Sequence, residues 1–180
     1  MLNKKRTILA VAILTMLVVA CAYFVLKDKQ SYRSFQQNIV NIDTTKITDI
    51  CIKLPTNDTT IIITKNSQWQ ISLAEKNYNA NMRQIDETIN RIANIVAIRK
   101  ISNSPSSWQK YGVTDSLGTH VVVKNGKHEL ANFYCGFVDF DKQNNTLWCY
   151  LRNYNDNNTY LVDGYISFAL TKQPSAWVQK

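Results

Sequence analysis

Four cysteines, two histidines and one close pair of aspartates carry most of the reactive chemistry in this sequence. Cys135 and Cys149 lie at equal distances on either side of position 142, midway along the segment that joins two strand-like runs. In a simple antiparallel hairpin they fall directly opposite one another, within reach of a disulfide. The other reading is two free buried thiols packed as small hydrophobes, with a β-bulge breaking the register. Such a bridge persists outside the cytoplasm. A thiol-redox role is a third option, but it lacks the CxxC pair that activates a thiolate.

Asp139-Phe140-Asp141, beside Lys142 and Gln143, offers two carboxylates for a metal ion or a general acid. The periodicity places them in the loop between strands, where a solvated hairpin tip is the simpler reading, and calcium-loop spacing is absent. His120 and His128 flank Asn125-Gly126 asymmetrically, with no acidic or thiol partner indicated. That argues against a catalytic histidine. No zinc-ligand spacing, phosphate-binding loop or nucleophile elbow occurs, so no catalytic residue, metal or cofactor is assigned. Trp108, Tyr111 and Trp148, with Trp69, Tyr134, Tyr150 and Tyr154, form an aromatic set able to line a glycan or peptide groove. In strands such side chains more often fill the core or pair across strands.

The elements that position these residues follow from periodicity. Ile50, Ile52 and Leu54 alternate with Cys51 and Lys53, Pro55–Asp58 is turn chemistry, and Thr59–Lys65 is a β-branched run. Trp69, Ile71 and Leu73 then alternate as a third strand. From Asn81 to Ile98 the period lengthens: Met82, Ile85, Ile89, Ile92 and Val96 share one helix face, with Asn81 and Gln84 as a capping box. Ile101–Gly118 reads as a linker whose Trp108, Tyr111 and Val113 fold back onto the core. A second meander follows, with Val121–Val123, a hairpin at Asn125-Gly126, then His128–Gly136, Thr146–Arg152 and Tyr160–Val162. Asp163 then caps a short helix over Tyr165–Leu170. The expected fold class is α+β, with two antiparallel β-meander plus helix units forming a weak βββα duplication.

Ahead of all this stands an uninterrupted apolar run, Thr7 to Leu26, between Lys4-Lys5-Arg6 and Lys27-Asp28-Lys29. It has about the length that a helix needs to cross a bilayer. A signal-peptide reading uses Ala20 and Ala22 as the small residues at a cleavage site. A lipoprotein reading uses Val18-Val19-Ala20-Cys21 and lipidation at Cys21. Both leave an apolar leader on the mature chain, so a single transmembrane helix fits better, with its N-terminus cytoplasmic by the positive-inside tendency. The organisation expected is an anchor over 1–29, a juxtamembrane spacer over 30–46 and a folded α+β domain over 47–175. The formal charge of +8 divides evenly, since residues 1–30 carry +4 of it. The remaining charges are scattered, which argues against nucleic-acid binding.

Several short segments carry a resemblance: Trp69, Tyr78-Asn79-Ala80-Asn81, Ser104–Trp108, Tyr111-Gly112-Val113, the strand ending at Gly136, Tyr150-Leu151-Arg152 and Tyr160-Leu161-Val162-Asp163. In order and spacing, over roughly residues 45 to 175, the chain resembles a bacterial family known as domain of unknown function 4340. Asn81 departs from the acidic helix cap more usual there, which keeps the cap and removes a carboxylate. The resemblance implies a membrane-tethered extracytoplasmic domain, encoded in some cases near transporter or gliding-motility accessory genes, with no established activity. The expectation is an inner-membrane, single-pass protein with a periplasmic C-terminal domain, or a lipoprotein. It serves as a binding or accessory part of an envelope complex beside an envelope or transporter-associated partner, and the alternative is an envelope enzyme acting on a glycan or peptide.

Overall fold

The computed structural model describes residues 12–23, 36–55, 60–74, 76–171 and 173–179. The chain divides into two compact units, 1–35 and 36–180. In the first, residues 12–23 are helical (α1) and exposed throughout, with Met16 77% and Val19 67% accessible. Among the described residues no helix is long and apolar enough to cross a membrane. Residues 7–11 and 24–26 of the apolar run, and the basic flanks, lie outside the described residues.

The second unit is mixed α+β, built on a nine-stranded antiparallel sheet in the order β5-β4-β3-β2-β8-β9-β10-β11-β7. Its first meander comprises β2 (Asp49–Lys53), β3 (Thr60–Lys65), β4 (Trp69–Leu73) and β5 (Lys76–Asn79). Its second comprises β8 (Thr119–Asn125), β9 (His128–Asp141), β10 (Thr146–Asn153) and β11 (Thr159–Asp163). The meanders abut through their first strands, β2 and β8, with Ile50 opposite Val123 and Ile52 opposite Val121. From that seam both meanders run outward in chain order, with β7 (Arg99–Ser102) added beyond β11, and each meander leads into a helix, α2 (Met82–Ala93) or α4 (Tyr165–Leu170). Each meander therefore has four strands, all four legible in the second and β5 added in the first. β5 escaped the sequence reading because its turn carries no glycine or asparagine signal; Ala74 itself takes φ +47° there.

Alternation sorts the side chains by face. Ile50, Ile52, Ile61, Ile63, Ile71, Val121, Val123 and Phe133 are fully buried on one face. The buried sides of α2 (Ile85, Ile89, Ile92) and α4 (Ile166, Ala169, Leu170) close that core. The two helices pack together, and Gln84 Nε2 donates to Ala169 O at 3.3 Å. The capping box gives way to tertiary contacts: Asn81 Nδ2 donates to Ala176 O, and Asn81 N donates to Trp177 O at 2.7 Å. Trp177 is fully buried and Val178 bridges Ala80, so the core extends past residue 175.

The helix stops at Ala93, not Ile98. Asn94–Ala97 is β6, which pairs with β1 (Gln37–Asn41) in a separate two-stranded sheet. Ile95 and Val96 are β-branched and suit a strand, and Ile95 and Ala97 are buried there. Residues 37–46, read as spacer, thus supply β1 and the 3-10 turn Thr44–Lys46 to this unit; residues 30–35 lie outside the described residues. After a bend at Ile98, Arg99–Ser102 (β7) pairs with β11 at the sheet edge. The first hairpin turn of the second meander is Gly126-Lys127, one residue on from Asn125-Gly126, because Asn125 already pairs with His128 and only Gly126 takes positive φ (+58°).

Ile52 is fully buried at the seam between the fully buried Ile61 and Val121, and truncating it leaves a cavity between paired strands. Ile52→Ala is expected to lower stability by about 2–5 kcal/mol in urea unfolding, with an unchanged m-value.

Candidate functional site

The segment between β7 and β8 folds onto the sheet face opposite the helices. Pro105–Ser107 form a 3-10 turn and Trp108–Tyr111 a single helical turn, α3. Gly112 ends it in the left-handed conformation (φ +68°), donating its N–H to Gln109 O at 3.2 Å, while Val113 N donates to Trp108 O at 3.0 Å. A side chain at Gly112 would strike the Phe137 ring, and one at Gly136 would strike the Tyr111 carbonyl oxygen. Gly136 therefore lets the loop backbone meet the strand, and Gly112 leaves room for the Phe137 ring.

Beneath that loop runs a cross-strand row, with Lys53 opposite His120, His120 opposite Tyr134 and Tyr134 opposite Arg152. Arg152 is only 5% exposed. Its Nε–H donates to Val113 O at 3.0 Å and its Nη1 to Tyr154 O at 2.9 Å. Its guanidinium carbon lies 3.8 Å from the Trp108 ring centroid and 4.5 Å from that of Tyr134. Two π systems thus lie against the cation. Trp108 is held in turn by its indole N–H donating to Asn157 O at 3.1 Å. Tyr134 stacks on His120 at 4.5 Å and 12°, and its hydroxyl donates to Asp115. His120 Nε2 bonds Asn132 Oδ1 at 2.8 Å and its ring stacks 5.6 Å from Tyr154. Burial, then the hydrogen bond to and charge of Asp115, hold the Tyr134 phenol well above its ordinary range, and burial pulls Arg152 below its own. The sequence reading missed Arg152, Asp115 and this role of His120. The only hint was that Ser104–Trp108, Tyr111-Gly112-Val113, Gly136 and Tyr150-Leu151-Arg152 all belong to one set of segments, and here they converge.

The residues singled out from the sequence scatter over several places. Trp108 caps Arg152; Tyr111 pairs with Tyr150 at 4.7 Å; Trp148, half-buried, lies opposite Asp139 and Asp163 in the strand registers. Asp139 and Asp141 are in strand β9, not in a loop, because β9 runs five residues past Gly136. Asp141 accepts from Gln143 N and Asn144 N, and hydrogen bonds from the Asn144 side chain first, then from its backbone, hold its carboxyl below the usual range. Asp139 accepts from Tyr150 OH at 3.4 Å. His128 is exposed at the hairpin end, opposite Asn125, and away from His120, which lies opposite Tyr134. Among the described residues no three His, Cys, Asp or Glu side chains group as metal ligands.

Cys135 and Cys149 do come together. They are not directly opposite: Cys149 faces Val138 and Cys135 faces Leu151, because β9 carries an extra residue in a bulge at Gly136 and Phe137. Their Sγ atoms nonetheless lie 3.0 Å apart, buried and unbonded. The Cys135 hydrogen bond first, then burial, raises the Cys149 thiol well above its ordinary value. Cys51 is half-buried, with its thiol raised by burial, and Cys21 is exposed in α1.

Two surface features remain. Phe137, Val138 and Phe140 are 41–50% exposed along the far end of β9. A cleft of about 410 Å3 lies where α2, β6, β11 and α4 meet, with Asn90, Arg91, Asn94 and Asp163 over a floor that includes Ile95 and Val162. Arg91 lies 3.8 Å from Asp163 and 5.6 Å over the Tyr165 ring. The cleft can accept a polar ligand with apolar faces.

Residues 69–180 match a family described as Domain of unknown function (DUF4340). No curated protein and no solved structure matches the chain.

Two outcomes follow from the Arg152 cluster. Arg152→Ala removes charge-assisted hydrogen bonds and the packing of the guanidinium, and is expected to cost about 3 kcal/mol or more in chemical unfolding. Arg152→Lys recovers less than half of that, since an ammonium cannot stack on two rings. Tyr134 has a raised folded-state pKa, so its contribution is complete below pH 10 and is lost as pH rises past that value. Stability measured from pH 8 to about 11 should therefore decline at the alkaline end, and less steeply in Tyr134→Phe.

Proposed function

We propose, from the premise that this chain belongs to the domain of unknown function (DUF4340) family, that it is a membrane-anchored extracytoplasmic binding or accessory domain of a bacterial envelope complex. The observation that carries this reading is the apolar run Thr7 to Leu26, whose described part, 12–23, is a helix exposed on every side. A helix in water keeps one apolar stripe and a polar face; one that is apolar all round needs apolar surroundings. The basic Lys4-Lys5-Arg6 flank supports a cytoplasmic N-terminus, which puts the α+β domain across the membrane.

The domain is assigned a binding role and no reaction. The cleft beside Arg91 and Asp163 suits a polar ligand, and the exposed Phe137, Val138 and Phe140 suit a protein partner, envelope- or transporter-associated. The aspartates and histidines that a glycan- or peptide-cleaving enzyme would need lie at separate places, and Asp141 is engaged in its own turn. Lipidation at Cys21 is the alternative means of attachment and leaves the same domain outside.

Alkaline phosphatase fused after Lys180 should be active in intact cells, and the protein should resist extraction at alkaline pH. An inactive fusion with the protein in the soluble fraction overturns the reading. Cys21→Ser should keep the protein in the membrane with no loss of fatty-acid label; release of the variant would assign the attachment to the lipid instead.

A further inference from the structure

We propose that Cys135 and Cys149 are a covalent modification site, a dithiol that exchanges with a disulfide-bearing oxidant and closes into a bridge pinning β9 to β10 across the bulge. The two Sγ atoms stand 3.0 Å apart, and a disulfide brings sulfurs to about 2.0 Å, so about 1 Å of side-chain movement closes the bond. Both residues lie in paired strands, Cys135 2% and Cys149 0% exposed, so the framework that brings them together is already built. The bulge shapes the site: its extra residue offsets the strands while leaving both thiols in the core. Cys51 does not compete, since it lies on β2 of the first meander between Ile50 and Ile52 and so on the opposite face of the sheet.

The exchange is balanced as follows. A thiolate of the pair attacks one sulfur of R–S–S–R and expels RS⁻, giving a mixed disulfide. The second cysteine, as thiolate, attacks the protein sulfur of that mixed bond and expels the other RS⁻. Two electrons pass to the oxidant, and the two cysteine protons end on two RSH molecules. The oxidant class is a small-molecule or protein disulfide. Its supply in cells rests on the extracytoplasmic location proposed above; the chemistry of the pair does not. Because both thiols are buried, exchange is fastest while the hairpin is open or the chain unfolded. The residues flanking Cys135 are Tyr134, stacked on Arg152 and His120, and Gly136, against the Tyr111 carbonyl, so the bridge stiffens the strand on which the loop is seated.

The test uses the full chain, purified in detergent, reduced, and then refolded with oxidised glutathione, with free thiols alkylated under denaturing conditions before peptide mass spectrometry. A Cys135–Cys149 peptide lighter by two hydrogens is expected, also in the Cys21→Ser/Cys51→Ser variant. Oxidised wild type should melt about 5–10 °C above reduced wild type. Two alkylated thiols, a product halted at the glutathione adduct, or bridging to Cys21 or Cys51 overturns the proposal. The same mapping on acid-quenched cells separates the two readings: a bridge there supports both. Free thiols in cells with a bridge in the purified protein uphold the dithiol site and count against the extracytoplasmic location.

Discussion

A guanidinium cannot shed its charge at any pH that a folded protein survives, so burying one obliges the surrounding structure to supply acceptors and polarisable faces. Arg152 imposes that obligation here. Its hydrogen bonds go to the carbonyls of Val113 and Tyr154, and its planes to Trp108 and Tyr134. Val113 and Trp108 belong to a segment that is otherwise polar and contributes little else to the core. The position of that segment, the left-handed turn at Gly112 and the close seating over Gly136 all follow from bringing those groups to the cation. An unmet buried charge costs several kcal/mol, a large share of the roughly 5–15 kcal/mol by which domains are stable.

The sheet is treated differently on its two sides. Helices α2 and α4 pack together on one side, with α4 against β9 and β10. The other face is covered by the Ser104–Gly118 loop only over the second meander, while Ile62 on the first is 45% exposed. The meanders share a strand order and a following helix, but only the second has gained the buried arginine, the bulged hairpin and the paired thiols. The exposed apolar end of β9 and the paired thiols lie in that half, while the cleft is shared between α2 and β6 on one side and β11 and α4 on the other.

The strands that make the sheet were legible because each declares itself locally. Ile50/Ile52, Trp69/Ile71 and Phe133/Cys135 recur at every second position whatever the rest of the chain does. β5 and β7 were not legible, since their residues are mostly exposed and extended only because a neighbouring edge offers hydrogen bonds. The end of α2 was misjudged for a related reason: Val96 continues the helical spacing, yet β1 offers that stretch a strand partner. Asn81 and Gln84 have the types of a capping box, but the C-terminal Trp177 segment claims Asn81 and the Ala169 carbonyl in α4 claims Gln84.

The amino-acid sequence by itself determined the α+β class, the doubled meander, the family and the apolar head of the chain, all of them properties of local pattern and order. Only the tertiary structure decided that Arg152 is a buried hub, that Trp108 is its lid and that Cys135 and Cys149 converge despite a shifted register. An arginine at a strand end reads the same whether it faces water or two aromatic rings. The difference lies in residues some forty positions away in the chain, which only folding brings within 4 Å.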